Sequence, residues 1–262
     1  MRFSTTSVAS LNLPSTEDVS TMDINLIVKR VAEGIAYLDT HDNSPRASQR
    51  TGAFYNPGIP SMTESVFTKN LAAWWVKTFP KDIDLGCSLI TEHPYPKSHG
   101  RGNCDLAIID KDSQALWAIE VKRIQFVGDN GKNNDFGLAK VLSPYNKDRS
   151  VVHDVLRLRD SKLAANSVVV SYGFEYSFKS CDEALLRHPN EHERISNVRD
   201  VCKKENSTTG TYPLNPMLDM LNDYLVGKKL TQGKVSIDFE NVWRHPCGGN
   251  GKVAGWKVNP LN

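Results

Sequence analysis

The sequence predicts an α/β protein, a mixed central β-sheet flanked by helices, and three observations lead there. Two apolar runs, Asp105 to Ile109 and Ala115 to Val121, are separated by the turn-forming run Asp110 to Gln114 and read as a hairpin. Behind them Ser167 to Tyr172, SVVVSY, is a compact β-branched run preceded by a helical stretch from about Asn146 to Asp160, the pattern of a crossover onto a mixed sheet. Ahead of them lie two stretches whose apolar residues recur at helical spacing.

In chain order, the Ser/Thr-rich residues 1–20 predict a loosely held arm. Ile24, Ile27, Val28, Val31, Ile35 and Leu38 then place one stripe on an amphipathic helix from Met22 to Leu38. Residues 39–62 are polar, punctuated by Pro and Gly, and mildly basic through Arg46 and Arg50. They form either a surface loop or one that grips a substrate, a use to which long loops in compact domains are often put. A second helix is expected from Thr63 to Thr78, with Glu64, Phe67, Leu71 and Trp74 or Trp75 on one stripe. Ser61 followed three residues later by Glu64 has the form of a capping box.

Ile83 to Thr91 predicts the first strand, and Pro94 to Gly102 a loop in which Lys97, His99 and Arg101 either face solvent or contact phosphate. After the hairpin, Ile124 to Val127 leads into the turn-rich run 128–135. The following helix carries Val151, Val155 and Leu158 on one side and Lys147, Arg149, Arg157 and Arg159 elsewhere on its surface. Residues 181–206 read as helix broken near Pro189, Pro216 to Val226 as a short helix, and Lys234 to Val258 as strands around a turn at 246–251. The organisation expected is an N-terminal arm, helix and loop (1–62), a core (63–180) and a C-terminal α+β addition packed on that core (181–262).

Of the 262 residues 39% are hydrophobic and 24% charged, the composition of a globular protein with a sizeable core. The formal net charge of +2 carries no global basic signal, so any nucleic-acid surface must be local. Five cysteines, odd in number and never in CxxC spacing, argue against a disulfide framework and a zinc ribbon, and fit a reduced, cytoplasmic setting. The N-terminal residues lack a signal-peptide core and no run approaches the ~20 apolar residues of a membrane span, so no membrane association is expected. His188 and His192 have a zinc-like i,i+4 spacing, but Pro189 and the lack of an obvious third ligand favour a surface helix. The run Gly248 to Lys252 fails the spacing of a phosphate loop and reads as a turn, and the tryptophans, Trp243 and Trp256 included, read as core.

The hairpin carries the chemistry. If its paired residue numbers sum to 225, Asp105 faces Glu120, with Cβ atoms about 5 Å apart. Like charges so placed in apolar strands imply a cation between them. Side chains alternate along a strand, so Lys122 shares the face of Glu120. Two acids and an ammonium then converge, an arrangement suited to a hard divalent cation that keeps several waters, with the lysine orienting or helping to deprotonate one of them.

An acid in Asn103-Cys104-Asp105 followed by Glu120-Val121-Lys122 on the next strand resembles the PD-(D/E)XK nuclease superfamily, which has the restriction-endonuclease-like fold. Cys104 stands where the motif usually has proline. The resemblance runs from Glu64 to about Tyr172 and includes the element order helix, three strands, helix, strand. It implies a metal-dependent endonuclease hydrolysing DNA phosphodiester bonds, of a restriction or defence type. Asp105, Glu120 and the backbone carbonyl of Val121 would ligate magnesium, for which manganese can substitute. Glu64 would be a further ligand if it is not simply a helix cap. Lys122 would position the attacking water. Double-stranded DNA is the implied partner, with the C-terminal addition serving target recognition or homodimer formation. The alternatives are a nuclease subunit of a repair, transposition or RNA-processing complex, and a non-catalytic nucleic-acid-binding relative.

Overall fold

A computed structural model describes residues 22–47, 52, 54–83, 86–99, 102–125, 127–128, 131, 141–145, 150–205, 214–239 and 244–261. The N-terminal arm, Arg50, Arg101, Lys147, Arg149, Trp243 and most of the run 128–135 lie outside the described residues. Helix α1 (Ile24–His41) starts where the Asp23 side chain accepts the Leu26 N–H at 2.8 Å, and it buries the stripe from Ile27 to Leu38. Helix α2 (Glu64–Thr78) is capped by Thr63, not by Ser61. Glu64 is therefore the first helical residue and the expected capping box is absent: Ser61 Oγ instead donates to the Gly58 carbonyl.

Strand β1 (Ser88–Pro94) begins later than Ile83. The reason is Asp82, which accepts from Arg30 Nε at 2.5 Å and from Trp75 Nε1 at 2.9 Å and so ties the chain back against α1 and α2. Strands β2 (Asn103–Ile109) and β3 (Ala115–Ile124) form the hairpin. Asp110 organises its turn by accepting the N–H groups of Asp112 and Gln114, both at 2.9 Å. Leu106 pairs with Ile119, Ala107 with Ala118 and Ile108 with Trp117, which is the expected register, before a bulge at Ile109.

Helix α3 (Val151–Ser161) starts after Asn146, because Ser150 is its N-cap, accepting the His153 N–H at 3.0 Å. Strand β4 (Asn166–Glu175) runs parallel to β3. Helices α4 (Phe178–Arg187) and α5 (His192–Glu205) meet at a break containing Pro189, and α6 (Leu214–Gly227) follows. The last strands, β5 (Val235–Phe239) and β6 (Asn250–Lys257), join the same six-stranded mixed sheet, in the order β1-β2-β3-β4-β6-β5. The C-terminal residues thus complete the central sheet.

Alternation along the strands sorts the helices into layers. A Cβ on Gly255 would stand 2.4 Å from Val28, so α1 lies directly on that face of β6. Trp256, on the opposite face, donates to Asn222 of α6 at 3.3 Å. Tyr172 of β4 meets Phe67 of α2 on the α1 side. Glu120 and Lys122 pair with Val169 and Ser171 and so point to the other side, beneath α3. Trp74, Trp75, Trp117 and Trp256 are in the core. Among the described residues no helix is long and apolar enough to cross a membrane.

Candidate functional site

The β2–β3 ladder stops at Leu106 and Ile119. One step further, Asp105 supplies with its side chain what a backbone carbonyl would otherwise supply: Oδ2 accepts the Val121 N–H at 2.8 Å. The N–H and C=O of a strand residue point to the same side, so the Val121 carbonyl faces this seam as well. The strands hold the acids in place by packing, since Cys104, Leu106, Ile119 and Val121 beside them are fully buried.

Glu120 is 2% exposed, and its Oε1 accepts from the Tyr95 hydroxyl at 2.5 Å and from Arg157 Nη2 at 2.6 Å. The Arg157 guanidinium also sits over the Tyr95 ring, 4.3 Å from its centroid. Lys122 Nζ lies between two acids from opposite layers, Glu64 Oε1 of α2 at 3.1 Å and Asp154 Oδ2 of α3 at 3.2 Å. Asp154 is in turn 3.4 Å from Arg157. The sequence-derived residues Asp105, Glu120, Lys122 and Glu64 are therefore brought together.

Four carboxylates here face two fixed cations, and the imbalance governs their protonation. Burial, and then the charges of Asp105 and Asp154, hold Glu120 well above the ordinary carboxylate range despite Arg157. Burial also pushes Asp105 up to about 6, with the Glu64 charge adding to it and the Val121 N–H opposing. For Lys122 burial acts downward, but Asp154, Glu64 and Asp105 together outweigh it and raise its pKa. The lysine therefore remains an ammonium and can donate to a water or phosphate oxygen. It is not a proton acceptor near neutral pH.

Three members of the site were not legible as such. Arg157 is no surface cation but the partner of Glu120. Asp154, 3% exposed, belongs to the buried side of α3. Its signal was present, an acid at position 154 beside the stripe of Val151, Val155 and Leu158. Tyr95 gave no signal beyond being an aromatic in a loop. The basic residues considered for substrate contact divide: Arg46 of the 39–62 loop is engaged by Asp42 at 2.6 Å and Ser61 at 3.0 Å, whereas Lys97 and His99, considered for phosphate, lie exposed on a short 3-10 turn. Arg123 donates to the Ile59 carbonyl at 3.1 Å, which brings the end of the 39–62 loop against β3.

Among the described residues no group of three or more His, Cys, Asp or Glu side chains is placed to hold a metal ion. Glu64 is turned to Lys122, and Glu120 Oε1 is taken by Tyr95 and Arg157. Without Glu64, the pair Asp105 and Glu120 still suits a magnesium ion, because magnesium keeps several waters and needs only one or two carboxylates. The surplus of negative charge at the pair is what such an ion would neutralise. These features define an α/β protein with an acid pair, Glu120 buried and Asp105 half-buried, and an ammonium at the seam of its two central hairpin strands. Searches of protein-family models, curated proteins and solved structures find no match to the chain.

Proposed function

We propose that the protein is a divalent-metal-dependent endonuclease with the restriction-endonuclease-like fold, hydrolysing phosphodiester bonds in double-stranded DNA. The observation that carries this reading is the convergence of Asp105 with Glu120 and Lys122 at the point where the β2–β3 ladder opens. Asp105, Glu120 and the Val121 carbonyl would hold magnesium or manganese. When bound, the ion supplies positive charge for the scissile phosphate and a water of lowered pKa. Lys122, kept protonated, donates to the attacking water or to a phosphate oxygen and offsets charge developing there. Glu64 and Asp154 aim the ammonium. Arg157 and Tyr95 fix the orientation of Glu120.

A second reading, a subunit that cleaves only with a partner or binds nucleic acid without cleaving, draws on the closure of this network: Glu120 and Lys122 already have protein partners. A restriction or defence role and homodimer formation rest on the resemblance alone.

Cleavage of supercoiled plasmid and of a mixed DNA pool with magnesium, beside Asp105→Ala and Lys122→Ala, tests the proposal. Cutting by the wild type that both variants lose supports it. A wild type inert with magnesium and with manganese on duplex DNA, single-stranded DNA and RNA would reject the autonomous nuclease and leave the second reading.

A further inference from the structure

The acid pair has a basic neighbour in the loop that joins β1 to β2. Residues 94–102 include Lys97, His99 and Arg101 and no Asp or Glu. The loop is closed at its neck by the Tyr95 N–H, which donates to the Gly102 carbonyl at 3.1 Å. Both sides of that neck rest on the groups that hold Glu120. The Tyr95 hydroxyl donates to Glu120 Oε1, and a Cβ on Gly102 would stand 3.2 Å from Nη1 of Arg157, the other donor to that oxygen. The 3-10 turn Lys97–His99 packs against α3, the helix that carries Asp154 and Arg157. The loop therefore rises directly from the acid site.

Its cations are not engaged by the protein's own acids. Lys97 and His99 are exposed, and among the described residues neither has an acidic partner; His99 Nδ1 lies 3.0 Å from Ser98 Oγ. Other cations nearby differ. Lys69 pairs with Glu92 at 3.1 Å and Arg159 with Asp160 at 2.7 Å. Arg46 is taken by Asp42 and Ser61, and Arg123 by the Ile59 carbonyl. An exposed lysine without a partner is ordinarily just solvated. What sets Lys97 apart is the charge beneath it. The surplus of carboxylates at the site repels a polyanion, and a net charge of +2 over the whole chain supplies no general attraction. A phosphate backbone brought to Asp105 and Glu120 needs local cations with no acid already bound to them, and Lys97 and His99 meet that need.

We propose, resting on the nuclease reading, that the 94–102 loop is the grip on the DNA backbone, with Lys97 and His99 donating to phosphate oxygens of the strand that lies over the acid pair. Contacts of this kind position a duplex without reading its bases. Lys97 offers three donors on a flexible stem, which suits phosphates at slightly different places, and the His99 ring offers an N–H. Binding through the loop is the same for unrelated sequences and weakens with salt, because each phosphate contact releases counterions from the DNA.

The test is the affinity of the full-length protein for two short fluorescent duplexes of unrelated sequence, measured by anisotropy with calcium in place of magnesium over a series of salt concentrations, beside plasmid cleavage with magnesium. Lys97→Ala is expected to weaken binding to both duplexes alike and to lower the slope of log affinity against log salt by about 0.9, the amount of one lost phosphate contact. Adding His99→Ala is expected to weaken binding further. Lys77→Ala removes the same charge from the last turn of α2, about 20 Å from Glu64 by helix rise, and is expected to leave the slope unchanged. Lys97 and Lys77 are exposed, so both single variants should melt with the wild type. A wild type that binds and cuts, with Lys97→Ala no different from it or from Lys77→Ala, would overturn the grip and leave the nuclease reading standing. Weaker binding confined to one duplex would overturn it as well, by making Lys97 a reader of bases. A wild type that neither binds nor cuts duplex DNA would reject the nuclease reading and the grip with it.

Discussion

Arg157 on α3 and Glu120 on β3 form a 2.6 Å ion pair although 37 residues separate them in sequence. Because the same guanidinium covers the Tyr95 ring, one side chain secures both groups that touch Glu120 Oε1. Arg157→Ala leaves a buried acid facing Asp105 and Asp154, and removing one partner of a buried pair costs more than the pair was worth. The expected loss is about 3 kcal/mol, lowered within the measured range for buried pairs because Arg157 is partly exposed. It is read as a lower urea midpoint at unchanged slope, with Arg157→Lys recovering only part. An unchanged midpoint would show that the pair carries no stability.

Asp105 gives the protein a pH dependence of definite sign. Its folded pKa of about 6 lies above the ordinary 3.8, so between those values the folded chain holds a proton that the unfolded chain has lost. The group's contribution to stability is complete at pH below 3.8 and falls away as the pH rises through about 6. Asp105→Asn keeps an oxygen for the Val121 N–H and removes the charge. It is therefore expected to raise Tm at pH 7, to raise it less at pH 5, and to end cleavage. A variant melting below the wild type at pH 7 would contradict this.

Lys122 links the α2 and α3 layers through Glu64 and Asp154. Lys122→Met is expected to lower cleavage on the order of 10²-fold or more and also to lower stability, since Asp154 loses its ammonium. Lys122→Arg should restore most of the denaturation midpoint and little of the activity, because a planar guanidinium cannot replace a point charge held between two acids. Equal rescue of both properties would mean that Lys122 has only a structural part.

Glu64 separates two roles by a titration. Its carboxylate engages Lys122, so Glu64→Gln is expected to reduce the cleavage rate about tenfold and to leave the magnesium concentration for half-maximal rate unchanged. A large increase in that concentration would make Glu64 a metal ligand.

Asp82 tests the fold away from the site. It takes hydrogen bonds from Arg30 and from Trp75 in the interior, and Asp82→Ala should cost about 3–5 kcal/mol. Asp82→Asn should cost less, because it keeps an acceptor for Trp75. Chemical denaturation of the two variants checks the order.

How much of this was readable in the chain follows the range of the interactions. The β2–β3 register could be derived because a short turn fixes it locally, and with it came the juxtaposition of Asp105, Glu120 and Lys122. The partners that complete the site could not, since Tyr95, Asp154 and Arg157 come from other elements and periodicity assigns a face, not a partner. Residues 181–262 were read as an addition to the core for the same reason. That β6 lies beside β4 depends on pairing Val253 with Tyr172 and Gly255 with Val170, a contact between distant segments that local pattern does not encode. The start of β1 was misplaced because Asp82 ties down the chain before it.

Closing the β2–β3 ladder with a carboxylate in place of a carbonyl gives the sheet a built-in reporter. A cation drawn to Asp105 competes with the Val121 amide for Oδ2, so ligation at the site and protection of that one amide become opposing quantities. Hydrogen exchange at Val121 should then quicken as magnesium is added while the neighbouring amides of β3 hold still, and the occupancy of the site could be read from the backbone before any substrate is cut.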